Sequence, residues 1–68
     1  MPVEIVVNGE RRTVADGQTV LELLRDLQLD PARVAVELNR RIVKQPRWAE
    51  THLESGAQVE IVQFVGGG

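Results

Sequence analysis

The sequence contains no cysteine, which excludes several kinds of chemistry. Without thiols the chain has no disulfide, no thiolate metal site and no thiol nucleophile, so packing must provide its stability. Aromatic residues are also scarce, with one tryptophan, one phenylalanine and no tyrosine. The single histidine, His52, has no second His or Cys nearby to complete a metal site. We therefore expect no metal site, and neither Ser55 with His52 nor Glu50 with Glu54 is expected to act as a catalytic pair.

The sequence also lacks a strong net charge and a long apolar run. Eight basic and ten acidic side chains leave a net charge of −2, so no overall positive field attracts nucleic acid. The basic pairs Arg11-Arg12 and Arg40-Arg41 are expected to be solvated charges at the ends of strands rather than a binding patch. No apolar run approaches the ~20 residues of a membrane span, and the first residues do not resemble a signal peptide. These features predict a cytoplasmic protein with no nucleic-acid or membrane partner.

A chain of 68 residues has little apolar surface to spare. Folding at this size removes roughly 60% of the surface that the unfolded chain exposes, so nearly every apolar side chain is needed inside. Little remains to line a deep substrate pocket. A self-sufficient enzyme is therefore not expected.

The first 14 residues have the pattern of a hairpin. Residues 3–7 alternate so that every second side chain is apolar, and Asn8-Gly9 follows directly. Both central residues of a type I′ turn need positive φ, which Asn and Gly tolerate best. Residues 10–14 should therefore return antiparallel beside the first strand.

An amphipathic helix is expected next. Thr19 stands three residues before Glu22, which is the spacing of a capping box. Apolar residues then recur at helical spacing and predict a buried stripe: Val20, Leu23, Leu24 and Leu27. We expect the helix to end near residues 28–29, because Pro31 disfavours helical geometry at the residue before it.

The region after the helix predicts two strands and a long connection. Residues 34–38 alternate as a third strand that ends at Asn39 in a left-handed turn conformation, and residues 41–43 form a short fourth strand. Residues 45–48 are typical of a turn or a single helical turn. Trp48 is expected to cap one end of the core.

The last strand, expected over residues 58–65, is apolar on both faces. Val59 and Ile61 continue the buried face, while Val62 and Phe64 fall on the opposite face by alternation. If the sheet clasps one helix, the face of the sheet away from that helix is exposed to solvent. Two large apolar side chains on this face predict a docking patch for a partner. The alternative is that Phe64 folds back against the sheet edge.

Three glycines, Gly66, Gly67 and Gly68, follow this strand. Without Cβ atoms they can thread a narrow channel and adopt whatever geometry an enzyme imposes. We expect a single domain over residues 1–65 and a flexible tail over residues 66–68, unless the glycines are only a disordered end. Such a tail suits presentation of the Gly68 carboxylate as a substrate. An ionised carboxylate is a poor electrophile, and adenylation by ATP converts it into a mixed anhydride that sulfide or a persulfide can attack.

The order hairpin, capped helix, strand, long connection and final strand resembles the ubiquitin-like β-grasp fold. The implied class is α+β, with a mixed sheet of four to five strands clasping one α-helix. Several segments together resemble the sulfur-carrier family of bacterial thiamin biosynthesis, and they span nearly the whole chain: residues 19–24, 34–39, 42–43 and 59–68. One departure is Ala57, where the family more often has an acidic turn residue.

The resemblance implies a cosubstrate rather than a catalyst. An E1-like adenylating enzyme would adenylate Gly68 with ATP and Mg, so no cofactor is bound by the chain itself. Sulfur would come from a cysteine desulfurase, in some organisms through a rhodanese-type donor, and the thiocarboxylate would pass it to thiazole synthase. Gly66 and Gly67 would be the tether, and Val62, Phe64 and Val65 the docking surface.

Two other functions stay open from the sequence. The small subunit of molybdopterin synthase, or a carrier of another sulfur-transfer pathway, shares the fold and the diglycine ending. A non-covalent β-grasp interaction module, with the glycines as a frayed end, would need no activation at all.

Overall fold

The computed structural model describes residues 1–64 of the chain. These residues form a five-stranded sheet, one α-helix and two 3₁₀-helices. The strands are β1 (Val3–Val7), β2 (Glu10–Val14), β3 (Val34–Leu38), β4 (Arg41–Val43) and β5 (Gln58–Gln63); the helix is α1 (Val20–Asp26), and the 3₁₀-helices are Pro31–Arg33 and Gln45–Glu50. Among the described residues, no helix has the length and apolar character needed to cross a membrane.

The sheet is mixed, and its middle strand is β5. The strand order is β2-β1-β5-β3-β4. β5 runs parallel to β1, through Val6 opposite Gln58 and Val7 opposite Val59, and antiparallel to β3 over the whole of β3. The predicted sheet of four to five strands packed on one helix is confirmed.

The N-terminal hairpin has the predicted turn. Asn8 and Gly9 have φ angles of 49° and 84°, the positive pair that a type I′ turn requires. β1 and β2 pair antiparallel from Val3 opposite Val14 to Val7 opposite Glu10. The turn chemistry therefore sets the hairpin register.

The helix begins as predicted and ends earlier. Thr19 Oγ1 accepts from the Glu22 backbone N–H at 3.2 Å, and Glu22 Oε1 accepts from the Thr19 N–H at 2.9 Å, so the capping box is confirmed. The expected end near residues 28–29 is wrong, since α1 ends at Asp26. The cause lies at Gln28, which takes a left-handed φ of 59°. The Gln28 N–H donates to the Arg25 carbonyl and the Leu29 N–H donates to the Leu24 carbonyl, each at 3.0 Å. These bonds close the helix end several residues before Pro31.

The core lies between α1 and the inner face of the sheet. Seven side chains are almost wholly buried: Ile5, Val20, Leu23, Leu24, Val36, Leu53 and Val59. Trp48 is also buried, and its indole Nε1–H donates to the Val43 carbonyl at 2.7 Å, which satisfies its one polar group. Trp48 is thus part of the core, and the prediction that it caps one end of the core stays a prediction.

Candidate functional site

The candidate site is the C-terminal part of β5. Because side chains alternate along a strand, Val59 and Ile61 point into the core and are buried, whereas Glu60 and Val62 point outward. The strand ends at Gln63, earlier than the expected residue 65. The Phe64 N–H still donates to the Arg33 carbonyl at 2.7 Å, so the backbone stays attached to the rest of the fold one residue beyond the strand.

Val62 and Phe64 are exposed, as their alternation predicts. Each residue exposes 55% of its surface. Val62 lies opposite Ala35 of β3, on the side of the sheet away from α1. Their role in docking stays a prediction.

A third exposed apolar side chain, Ile42, lies on the same face. It is 74% exposed at the centre of β4, opposite Glu37 of β3. We call Ile42, Val62 and Phe64 together the outer patch. Ile42 is not among the predicted docking residues, although the alternation within Arg41–Val43 is enough to place it outward.

Two carboxylates lie beside the outer patch. Glu37 and Glu60 are directly opposite each other on β3 and β5. Like charges in such a cross-strand pair are unfavourable, and within residues 1–64 neither carboxylate has a salt-bridge partner. The outer patch is therefore bordered by negative charge that a basic partner would neutralise.

Two asparagine side chains hold β5 in place, and the sequence analysis predicted only their turn conformations. Asn8 Oδ1 accepts from the Ile61 N–H at 2.7 Å, and Asn8 Nδ2 donates to the Ile61 carbonyl at 3.1 Å. Asn39, with a φ of 51°, accepts from the Gln58 N–H through Oδ1 at 2.9 Å. The turn at Asn39 thus binds the start of β5, and the turn at Asn8 binds β5 near its end.

The other predicted site residues lie outside this arrangement. Val65, Gly66, Gly67 and Gly68 are outside the described residues. His52 Nδ1 is 2.8 Å from the Gly17 carbonyl oxygen, where it joins two loops. In the part of the chain that the structure describes, no group of three or more metal-ligating side chains is close enough to hold an ion.

Comparison with known proteins gives consistent results. The model of the ThiS family matches residues 5–68. The sulfur carrier protein ThiS of Escherichia coli (strain K12) is 35% identical over 66 residues, which are 97% of this chain and 100% of that protein. A thiazole synthase of Paramagnetospirillum magneticum is 41% identical over 66 residues, but the chain spans only 20% of the length of that relative.

A solved structure has the same architecture. The crystal structure of the thiamine biosynthesis protein ThiS from Geobacter metallireducens superposes with a TM-score of 0.83 at 35% identity, covering 97% of this chain and all of that chain. The family match also covers the glycines that follow the outer patch. This chain therefore belongs to the ThiS family and has the β-grasp fold.

Proposed function

We propose that this chain is a sulfur carrier of thiamin biosynthesis and that the carboxylate of Gly68 carries the sulfur. The observation that supports this most strongly is the family match, which extends through Gly66, Gly67 and Gly68. The E. coli relative, named a sulfur carrier protein, aligns over its full length. A family match that continues to the last residue of the chain favours a role for the tail itself.

The first chemical step is activation of the carboxylate. A terminal carboxyl with a pKa of about 3.5 is ionised at neutral pH, and its negative charge repels nucleophiles. One carboxylate oxygen attacks the α-phosphorus of ATP, and pyrophosphate leaves with its electron pair. The product is an acyl adenylate, formed on an E1-like adenylating enzyme that binds ATP and Mg.

The second step replaces oxygen by sulfur. Sulfide attacks the acyl carbon and AMP leaves, which gives a thiocarboxylate. With a persulfide donor, the same attack gives an acyl disulfide, and a thiol then reduces it to the thiocarboxylate. A cysteine desulfurase, in some organisms with a rhodanese-type protein, supplies this sulfur.

Thiazole synthase is the proposed acceptor of the sulfur. The relative named thiazole synthase contains, in a fifth of its length, a segment that matches almost all of this chain. A carrier segment within one polypeptide with a synthase is held at high local concentration beside it. This arrangement in a relative favours the same pairing between separate chains.

The outer patch is the proposed docking surface for these partners. Ile42, Val62 and Phe64 are large apolar groups that a monomer of this size would bury if the core could take them. Two of its members, Val62 at the end of β5 and Phe64 directly after it, lie on the segment that leads to the tail. A partner that covers it would therefore receive the tail beside its own active site.

Intact-mass spectrometry tests the proposed function. The full chain is incubated with MgATP, the E1-like adenylating enzyme of the same organism and a sulfide source. We expect a mass increase equal to the difference between one sulfur and one oxygen atom, located by fragmentation at Gly68.

The control is the same chain with Gly68 deleted, because the deletion leaves residues 1–64 unchanged. It should give no thiocarboxylate. Equal product from the shortened chain, or no product from the full chain, would show the proposal to be wrong.

A further inference from the structure

The side chain of Asn8 continues the pairing between β1 and β5 where the backbone of β1 turns away. Backbone pairing ends with Val7 opposite Val59 and with the Asn8 N–H donating to the Val59 carbonyl at 2.9 Å. The carboxamide of Asn8 then binds both the N–H and the carbonyl of Ile61. It acts as a peptide group would at the next position of the ladder.

This contact lies close to the point where the chain leaves the sheet. Ile61 is largely buried, so its backbone groups would lack water if the carboxamide were absent. No residue of β1 lies opposite Gln63, which makes Ile61 the last position of β5 that is bonded on the β1 side. Gly68 is seven positions after Ile61, so the chain can reach at most about 25 Å beyond Ile61 when extended.

The turn alone does not require these hydrogen bonds. A glycine at position 8 would adopt the observed φ of 49° without strain, because glycine accepts positive φ freely. Asn39 offers a comparison on the same strand, since its φ is 51° and its side chain also binds the β5 backbone. Asn39 holds Gln58 at the start of β5, and Asn8 holds Ile61 near its end.

We infer that Asn8 is a positioning residue for sulfur transfer: its carboxamide fixes the direction in which β5 delivers the C-terminal segment to the activating enzyme. This inference rests on the proposed function. If the strand end were free on the β1 side, docking would have to order it, and that entropy cost would appear as weaker binding. Once the tail is bound, the enzyme imposes its geometry, so the chemical step should not change.

The test compares Asn8→Gly with Asn39→Gly in the full chain. Both substitutions keep the left-handed turn and remove a side-chain contact to β5. ATP–pyrophosphate exchange by the E1-like adenylating enzyme is measured against carrier concentration. We expect Asn8→Gly to raise KM by about three- to tenfold, the equivalent of one hydrogen bond, with kcat unchanged, and Asn39→Gly to leave both constants near those of the wild type.

Amide hydrogen exchange gives a readout that does not depend on the enzyme. In Asn8→Gly the Ile61 amide should exchange at least about fivefold faster relative to that of Val59, which its bond to the rest of the sheet still protects. In Asn39→Gly the Ile61 amide should keep its protection. Asn8→Asp retains an acceptor for the Ile61 N–H but no donor for the carbonyl, and should lie between the wild type and Asn8→Gly in KM.

The outcomes separate the two proposals. Equal KM values for the two glycine variants, or an Asn8→Gly variant that lowers kcat alone, would overturn the inference while leaving the carrier function intact. If the wild-type chain is not adenylated, the proposed function fails and the inference fails with it. Should Asn8→Gly not fold, the KM of Asn8→Asp decides: a KM above those of the wild type and Asn39→Gly supports the inference, and a wild-type KM overturns it.

Discussion

Phe64 combines a fixed backbone with a free side chain. Its N–H is bonded to the Arg33 carbonyl, whereas more than half of the residue's surface is open to solvent. Because the backbone is already held, a partner that covers the ring has to order only the side chain. Aromatic side chains of this kind contribute more to binding than to stability.

Phe64→Ser should therefore separate binding from stability. We expect KM for adenylation to rise about fivefold or more, as for a residue central to an interface, while the free energy of unfolding changes by less than about 1 kcal/mol. Exchange kinetics and thermal melts measure the two quantities. Thr13→Ser, on exposed strand β2, is the matched control and should change neither. A large loss of stability in Phe64→Ser would instead show that Phe64 belongs to the core.

At the residue scale, backbone conformations were easier to predict than side-chain contacts. The left-handed geometry of Asn8 and Asn39 follows from residue type and position. The bond from Asn8 to Ile61 joins residues 53 positions apart, and no local pattern indicates it. Alternation along β5 places Val62 and Phe64 on the exposed face of the sheet. The same reasoning along β4 would place Ile42 there.

At the scale of the elements, α1 depends on the sheet. It has only seven residues, and an isolated helix of that length does not form in water. Its capping box fixes where it starts, and the buried face with Val20, Leu23 and Leu24 holds it on the sheet. Packing therefore contributes more to this helix than its intrinsic propensity does.

Leu24→Ala tests that dependence. Leu24 is fully buried, so the substitution should lower the free energy of unfolding by about 2–5 kcal/mol through lost contacts and the cavity left behind. A domain of this size has only about 3–10 kcal/mol in total, so the variant should be largely unfolded or close to it. Chemical denaturation checks this against Arg25→Ala, an exposed neighbour that should cost less than about 0.5 kcal/mol. An unchanged midpoint for Leu24→Ala would contradict the helix register.

The elements were predicted best where local chemistry determines them. The Asn8-Gly9 turn predicts the hairpin of β1 and β2, and the apolar patterns of residues 34–38 and 41–43 predict β3 and β4. The end of α1 was misplaced because Gln28 takes a left-handed conformation that glutamine rarely adopts, so residue type gave no signal. Leu27 and Leu29, on either side of Gln28, both pack against the core, a tertiary contact that no local pattern indicates.

At the scale of the whole molecule, the core of the described residues ends at Ile61, three residues before the last of them. All buried apolar side chains of the described residues lie between Ile5 and Ile61. The three ion pairs described are exposed and contribute little to stability. Stability and the proposed chemistry are thus assigned to different parts of the chain.

A chain that ends at Phe64 should consequently fold. We expect its Tm to stay within about 4–8 °C of the full chain, since roughly 1 kcal/mol corresponds to that shift at this size. A chain that ends at Ala57 lacks the middle strand and should not fold. Calorimetry and circular dichroism distinguish these results, and an unfolded chain ending at Phe64 would mean that the last four residues support the core.

The central place of β5 also has a consequence for biosynthesis. During translation the two hairpins, β1 with β2 and β3 with β4, emerge first, and they share no border with each other. Only after β5 has been synthesised can it pair with β1 on one side and β3 on the other, which joins the two hairpins into a single sheet. The exposed residue Val62 on β5 is thus made after the other four strands, and an incomplete chain without β5 lacks part of the proposed docking surface.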